Sequence, residues 1–154
     1  MSVIEDRLAA LGVSLPKPAA PAANYVAAVR TGTLLVVSGQ LPLGPDGKLA
    51  SGKLKPGAPV DAAKAAARLA AINVLAQVKA AVGDLDKVAR VVRLGGFFSV
   101  EGGYESLSAA MNGASDFVVE VFGDKGRHAR TTIGVAHLPL EAICEVEGLF
   151  EIAP

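Results

Sequence analysis

The stretch that decides the fold is "VDAAKAAARLAAINVLAQVKAAVG", residues 60–83. Asp61 lies at its start, where a carboxylate favours a helix, and Gly83 lies where glycine commonly ends one. An apolar stripe at helical spacing consists of Leu69, Ile72, Leu75 and Val78. Because most of the other residues are alanine, this predicted helix is able to pack closely on a sheet.

The segments on both sides of this helix predict the rest of the fold. Two β-branched runs flank Thr31-Gly32 and predict a hairpin, and glycine is free to take positive φ in the turn. The other predicted elements are a short helix at 2–11, an extended arm at 16–23, strands at 25–30, 33–38, 86–99, 131–137 and 143–152, and a helix at 105–122. This order predicts an α+β fold, a mixed sheet with two helices packed on one face. The other face would stay uncovered in a monomer, so we expect oligomerisation.

The chain has the length of one domain. We divide it into an N-terminal helix and Pro/Ala-rich arm, residues 1–23, and a domain at 24–154. Within this domain, the loop that precedes the long helix (44–59) partly matches a phosphate-loop motif, at Gly47, Gly52 and Lys53. Leu54 replaces the hydroxyl residue of that motif and Pro56 blocks the following helix, so we interpret the match as chance spacing.

Composition excludes several classes of function. Lysine plus arginine equals aspartate plus glutamate, at 15 each, so no electrostatic footprint for nucleic acid or an anionic membrane is expected. The apolar runs are shorter than a membrane span, and the start lacks the pattern of a signal peptide. The single cysteine, Cys144, allows no intrachain disulfide. We therefore expect a cytoplasmic protein.

Charged residues near the C-terminus suggest a site. In strand 143–152, Glu145 and Glu147 lie on the face opposite the apolar residues, and in strand 130–136 Arg130 and Thr132 share a face of small or polar groups. If the two strands pair as a hairpin, Arg130 lies near Glu145 on the non-core face. The alternative is a solvated face with a weak surface ion pair.

Two segments carry a resemblance to a known family. "NYVAAVRTGTLLVVSGQLPL" (24–43) and "ARTTIGVAHLPLEAICEVEGLFE" (129–151) resemble the RidA/YjgF family of enamine/imine deaminases, also labelled endoribonuclease L-PSP. The matching motifs are a strand that begins with tyrosine, Ser-Gly-Gln, Ala-Arg-Thr, Leu-Pro and Glu-x-Glu. The resemblance implies a chorismate-mutase-like (Bacillus-type) fold and a homotrimer with three clefts between subunits. It implies activity without a cofactor or metal.

The resemblance also implies residue roles. Arg130 binds the substrate carboxylate and Glu145 positions the attacking water, so both are predicted catalytic residues. The predicted substrate-binding residues are Arg130, Tyr25, Ser38, Asn112, Thr131 and Thr132. Thr132 stands where many of these deaminases have cysteine, and His128 where many have proline. These departures place the chain in a longer, divergent branch.

Three functions follow from this reading. The first is hydrolysis of 2-aminoacrylate-type enamines or imines to 2-oxo acids and ammonia. The second is a trimer without catalysis that binds or senses a small carboxylate metabolite. The third is ribonuclease activity, which the charge balance and the lack of an aromatic stacking stripe disfavour. We predict that Cys144 is a buried core thiol, and the two histidines lack metal-site spacing.

Overall fold

A computed structural model describes residues 2–154, so the first residue of the predicted N-terminal segment lies outside the described residues. The helices are α1 (Val3–Ala10), α2 (Asp61–Val82) and α3 (Leu107–Phe122). The strands are β1 (Ala28–Thr31), β2 (Leu34–Gln40), β3 (Val88–Ser99), β4 (Ala129–Val135) and β5 (Cys144–Ile152). Short 3-10 turns occur at Leu85–Lys87, Gly123–Gly126 and Pro139–Glu141.

The five strands form one mixed sheet in the order β1-β2-β5-β3-β4. All neighbouring pairs are antiparallel except β3 and β4, which run parallel. Helices α2 and α3 cover one face, which we call the helix face, and α1 contacts α3 and the turn before β3. The α+β mixed sheet expected from the sequence is confirmed, with three α-helices in residues 2–154.

The expected hairpin of the last two strands is wrong. Both β4 and β5 flank β3, which therefore lies between them. Connection 136–143 is longer than the tight turn of a hairpin and contains the Pro139–Glu141 turn, so it carries the chain past the end of β3. β5 alternates buried and less buried residues along its whole length, a pattern that suits a central strand with a partner on each side.

Strand β1 is shorter than the sequence predicted. It starts at Ala28, so Tyr25 precedes the strand instead of lying on it. The backbone N–H of Tyr25 donates to the carbonyl of Ala23 at 2.9 Å, and this tight turn ends the extended arm before pairing begins.

Small residues let the helices approach the sheet and each other. Alanines of α2 are buried at Ala63, Ala66, Ala67, Ala70 and Ala71. A Cβ on Gly113 of α3 would collide with the carbonyl of Lys64 of α2, so only glycine allows this helix crossing. The large core side chains between helices and sheet include Phe98, Phe117 and Phe150.

Helix α2 is long and apolar enough to cross a membrane by length and composition alone. More than half of its most apolar window, 56%, is buried against the rest of the chain. Its apolar character is therefore explained by its position in the core.

The second face of the sheet, which we call the open face, carries no helix of the described chain. Its exposed apolar side chains are Val29, Leu34, Val36 and Ile133, each at least 38% exposed. Their register along β1, β2 and β4 places them on the same side as Glu145 and Glu147. An apolar sheet face of this kind is typical of a surface that contacts a partner.

Candidate functional site

The predicted site residues fall into two groups on opposite faces of the sheet. Arg130 pairs in register with buried Leu94 and faces α3. Glu145 pairs with Phe97 on the open face. The expectation that Arg130 and Glu145 share a non-core face is wrong, because β3 separates their strands and the two side chains leave the sheet on opposite sides. Two strand spacings and three residues along the strands separate their backbones by about 14 Å.

Helix α3 holds the Arg130 guanidinium from one side. Nη1 donates to Asn112 Oδ1 at 2.8 Å and to Ser115 Oγ at 3.1 Å. Nη2 donates to the Ser108 carbonyl at 3.1 Å and to Ser108 Oγ at 2.8 Å. All four Nη hydrogens therefore have acceptors, and among the described residues the Nε–H hydrogen has none.

The structure joins Arg130 to Asn112, a predicted substrate-binding residue, and adds two serines that the sequence analysis missed. Ser108, Asn112 and Ser115 follow the i, i+4, i+7 spacing, so they form a polar stripe on a helix that is otherwise rich in apolar residues. That spacing was the signal that could have identified them.

A second hydrogen-bond chain extends from Arg130 through Ser115 to His128. Ser115 Oγ lies 2.9 Å from His128 Nε2, and His128 Nδ1 lies 2.6 Å from the Gly126 carbonyl. A carbonyl only accepts, so Nδ1 carries the proton and Nε2 accepts from Ser115. Burial lowers the pKa of His128 and the Arg130 charge adds to this, while the Gly126 bond opposes it. His128 is thus neutral near pH 7 and helps to fix Ser115 beside Arg130.

A shallow cleft of about 280 Å³ opens beside this group at the edge of the sheet. Its lining consists of Ser115, Val119, Arg127, His128 and Arg130. The cleft contains two arginines, so it is electrostatically suited to an anion.

The two threonines after Arg130 point in opposite directions. Thr131 lies on the open face, where Arg93 Nη2 donates to its Oγ1 at 3.2 Å. Thr132 lies on the same face as Arg130, and its Oγ1 is buried without a hydrogen-bond partner among the described residues. Buried hydroxyl groups ordinarily have a partner, so Thr132 is an exception among the predicted site residues.

Glu145 lies in the second group, on the open face against β2. Its side chain covers Gly39, and a Cβ on Gly39 would collide with the Glu145 carboxylate. Glycine in the Ser-Gly-Gln motif thus leaves the space that Glu145 occupies. Burial raises the pKa of Glu145 and the nearby Glu147 raises it further, with no hydrogen bond from the described residues to oppose them.

The neighbouring Glu147 is held differently. Its carboxylate lies 3.7 Å from Arg93, and its side chain packs over Gly95, where an added Cβ would approach it to 2.7 Å. Glu147 therefore has a cationic partner, Arg93. Of the two glutamates, Glu145 is the one without such a partner, which agrees with the raised pKa.

The other two predicted residues lie beside Gly39. Ser38 Oγ donates to the Val26 carbonyl at 2.8 Å and so fixes the segment before β1. Tyr25 is 51% exposed and lines a cleft of about 260 Å³ together with Gly39. Ser38 thus has a structural contact, while the Tyr25 ring is available to a ligand.

Residues 2–154 contain no group of three or more His, Cys, Asp or Glu side chains placed to hold a metal ion. Cys144 faces the core and is fully buried, as its position in the strand pattern predicted. Burial and the adjacent Glu145 raise the pKa of Cys144 to about 12, so the thiol is not a nucleophile at neutral pH.

Comparison with known proteins identifies the family. The model of a family described as YjgF/chorismate mutase-like, which also carries an endoribonuclease label, matches residues 5–152. Protein TCP17 of Trypanosoma cruzi is 46% identical, with 99% of each chain covered. A crystal structure of a protein of unknown function from Agrobacterium tumefaciens is 45% identical, with a TM-score of 0.88 and coverage of 97% of this chain and 92% of that one.

A more distant solved structure, E. coli TdcF with bound serine, shares the fold. It is 22% identical with a TM-score of 0.65, and covers 89% of this chain and 94% of that one. The match to the family model spans nearly the whole sequence and agrees with the helix-covered mixed sheet. The chain belongs to the YjgF/chorismate mutase-like family.

Proposed function

We propose that the protein is a homotrimeric, RidA-like deaminase that hydrolyses 2-aminoacrylate-type enamines and their imine tautomers to 2-oxo acids and ammonia, without a cofactor. The site would form between subunits, where the Arg130 edge of one chain meets Gly39 and Glu145 of the next. The observation that carries the proposal is Glu145, a half-buried carboxylate with a raised pKa and no hydrogen bond from the described residues. A carboxylate with such a pKa is suited to general-base catalysis.

The separation of the two groups supports a site between subunits. One chain places Arg130 and Glu145 on opposite faces, so they are too far apart to contact one small acid. The open face also exposes apolar side chains such as Val36 and Ile133, which a neighbouring subunit would bury. A closed ring repeats the same contact at each interface and would complete three identical sites.

Arg130 would bind the substrate carboxylate. Both Nη groups already donate to α3, so a carboxylate would take the Nε–H and displace Ser108 Oγ from Nη2. The Nη1 bonds to Asn112 and Ser115 would remain and hold the guanidinium plane. Bound serine in TdcF supports a small amino-acid-like ligand in a protein of this fold.

Glu145 would act on water. As the water oxygen bonds to C2 of the iminium, Glu145 takes one water proton and a carbinolamine forms. Glu145 then gives this proton to the amine nitrogen and removes the proton of the new hydroxyl. The C2–N bond breaks with its electron pair on nitrogen, so ammonia leaves and the C2 carbonyl of the 2-oxo acid forms. Glu145 finally releases its proton to solvent.

A second candidate is a trimer that binds or senses a small carboxylate metabolite without turnover. The sequence supports this second candidate at one position, Thr132, which stands where many active members have cysteine. Ribonuclease activity has less support. Charges balance at 15 each, and the Arg130 guanidinium is engaged by α3.

Turnover of freshly generated 2-iminobutanoate, trapped with semicarbazide, tests the proposal. Glu145→Gln keeps the shape of the side chain but loses the base, so we expect turnover to fall roughly 100-fold while 2-oxobutanoate affinity stays within about threefold. Glu147→Gln is the matched control and should keep most of the activity. Equal, buffer-level hydrolysis by wild type and Glu145→Gln, with 2-oxobutanoate still bound, would support the binder instead.

A further inference from the structure

We propose that the cleft beneath the N-terminal arm is a pocket for the substrate side chain, and that it selects imino and 2-oxo acids with a branched aliphatic or aromatic side chain. This inference rests on the proposed function and adds the substrate class. The observations that carry it are the lining of the cleft, its size and its position next to Glu145.

The cleft is mostly apolar. Residues of the arm, including Pro16, Ala19 and Pro21, form one side, and the other sides include Leu41 and Leu49. Lys17 is the charged residue of the lining, and its exposed side chain leaves the ammonium free to stay in water. Such a lining favours hydrocarbon over a charged group.

The side-chain amides of Gln40 and Asn73, which line the cleft, have their donors occupied. Gln40 Nε2 donates to the carbonyls of Ser38 and Gly39 at 3.0 and 3.2 Å. Asn73 Nδ2 donates to the carbonyls of Leu41 and Leu43 at 2.9 and 3.0 Å. A ligand carboxylate would find no free amide donor on these two side chains, so the charged end of the substrate belongs at Arg130.

The cleft adjoins the proposed catalytic carboxylate. Gly39 lines the cleft, and the Glu145 side chain packs on Gly39. Tyr25 lines it as well, with an aromatic ring that is half exposed. A substrate whose C2 atom faces Glu145 would therefore direct its side chain past Gly39 and toward the arm.

The arm is fixed in place over the cleft. Gln77 of α2 is buried and donates from Nε2 to the Ala19 carbonyl at 2.8 Å, while the prolines limit backbone freedom. On the other side Leu140 lines the cleft, 77% exposed and with a φ of 57° that is uncommon for a residue with a side chain. The pocket is thus formed before any ligand binds.

Its volume fits a large side chain. The cleft measures about 260 Å³. At roughly 30 Å³ for one water-sized group, it holds on the order of nine such groups. The ethyl group of 2-oxobutanoate would leave most of this space unfilled, whereas an isobutyl or benzyl group would fill much more of it.

Calorimetric titration of the wild-type protein with 2-oxobutanoate, 4-methyl-2-oxopentanoate and phenylpyruvate tests the selection. Each buried methylene should tighten binding by roughly fourfold, so we expect 4-methyl-2-oxopentanoate to bind on the order of tenfold more tightly than 2-oxobutanoate. Affinity that stays equal or weakens along the series would overturn the inference while leaving the proposed function intact.

A matched pair of variants locates the effect. Ala27→Leu fills part of the cleft, so it should weaken 4-methyl-2-oxopentanoate binding roughly tenfold more than 2-oxobutanoate binding and remove the preference. Ala23→Leu, the same change at an exposed residue outside the lining, should leave both affinities unchanged. An unchanged preference in folded Ala27→Leu would contradict the pocket, and the wild-type series decides the question if that variant does not fold.

A neutral probe separates this inference from the proposed function. 4-Methyl-2-pentanone has the branched side chain without the carboxylate, so it needs neither Arg130 nor turnover. We expect it to shift the Asn73 side-chain amide resonance in NMR spectra of wild type and of Arg130→Ala alike. No shift in either protein would overturn the side-chain pocket. A shift together with 2-oxo acid binding but no imine hydrolysis would instead reject the proposed deaminase and keep the pocket.

Discussion

Arg130 and Glu145, the two charged residues at the centre of the proposed site, differ in the number of hydrogen bonds that stabilise their charges. The Arg130 guanidinium donates four hydrogen bonds to helix α3, where Ser108, Asn112 and Ser115 accept them. Glu145 has a glycine beneath it, Glu147 nearby and no hydrogen bond from the described residues. The cation is thus stabilised and positioned by its own chain, whereas the carboxylate is destabilised by its own chain.

This difference assigns different tasks to the two sides of the sheet. A guanidinium held by four acceptors keeps one orientation, which suits recognition of a ligand carboxylate. An ionised carboxylate that lacks donors is a stronger base than one with donors, which suits removal of a proton from water. Substitutions that alter either Arg130 or the surroundings of Glu145 test the two tasks separately.

The largest effect should come from the glycine beneath Glu145. Gly39→Ala forces the Glu145 carboxylate to move, and a displacement of about 1 Å at a catalytic group costs roughly 100-fold in turnover. Gly95→Ala is the matched control, because the added Cβ would displace Glu147 instead. Rates of imine hydrolysis in the two folded variants measure the contrast. Equal losses would mean that the position of Glu145 has no special importance.

A smaller effect is expected at the cation. Arg130→Ala removes the charge-assisted bonds to a ligand carboxylate, which contribute on the order of 1.5 to 3 kcal/mol each, so 2-oxobutanoate affinity should fall at least about tenfold. Arg127→Ala removes an exposed arginine of the same cleft and should change affinity far less. Calorimetry measures both. Unchanged affinity in Arg130→Ala would exclude it as the carboxylate ligand.

The smallest expected effect is on stability and depends on pH. The pKa of Glu145 is raised in the folded state, so the folded protein binds this proton more tightly than the unfolded chain does. The free energy of unfolding therefore decreases as pH rises from the ordinary glutamate pKa through the raised one. Glu145→Gln should raise the melting temperature near pH 7 and leave it nearly unchanged below about pH 4.

Thermal unfolding of Glu147→Gln provides the contrast for this last experiment. That variant loses the carboxylate that lies beside Arg93, so it should gain no stability near neutral pH. A gain that is the same for both variants, or that persists in acid, would show that burial of the Glu145 charge is not its cause.

The sequence predicted the helix-covered mixed sheet because apolar periodicity and glycine or proline positions are local signals. The alanine-rich stretch and Gly83 predicted the ends of helix α2 to within one residue of their observed positions. Strand order is a nonlocal property. The alternation in 143–152 assigned the faces of β5 but not its neighbours, so the hairpin with β4 was wrong.

The sequence likewise predicted some of the site residues but not how they are arranged in space. Resemblance pointed to Asn112, which the structure joins to Arg130. The face of Arg130 depends on the register between β3 and β4, which no pattern within β4 contains. The contact between Gly39 and Glu145 joins residues that are far apart in sequence, so it could be identified only from the structure.

The central claim is that Arg130 of one subunit and Glu145 of another form one site, and mixed oligomers test it directly. Arg130→Ala and Glu145→Gln chains with different tags are co-expressed in equal amounts, and the mixed species is purified. Sedimentation should give about three times the 15.6 kDa chain mass. A trimer that contains both chains has an intact Arg130 opposite an intact Glu145 at about one of its three interfaces, so we predict about a third of wild-type imine hydrolysis. Mixed oligomers that assemble but stay as inactive as either parent would contradict the claim.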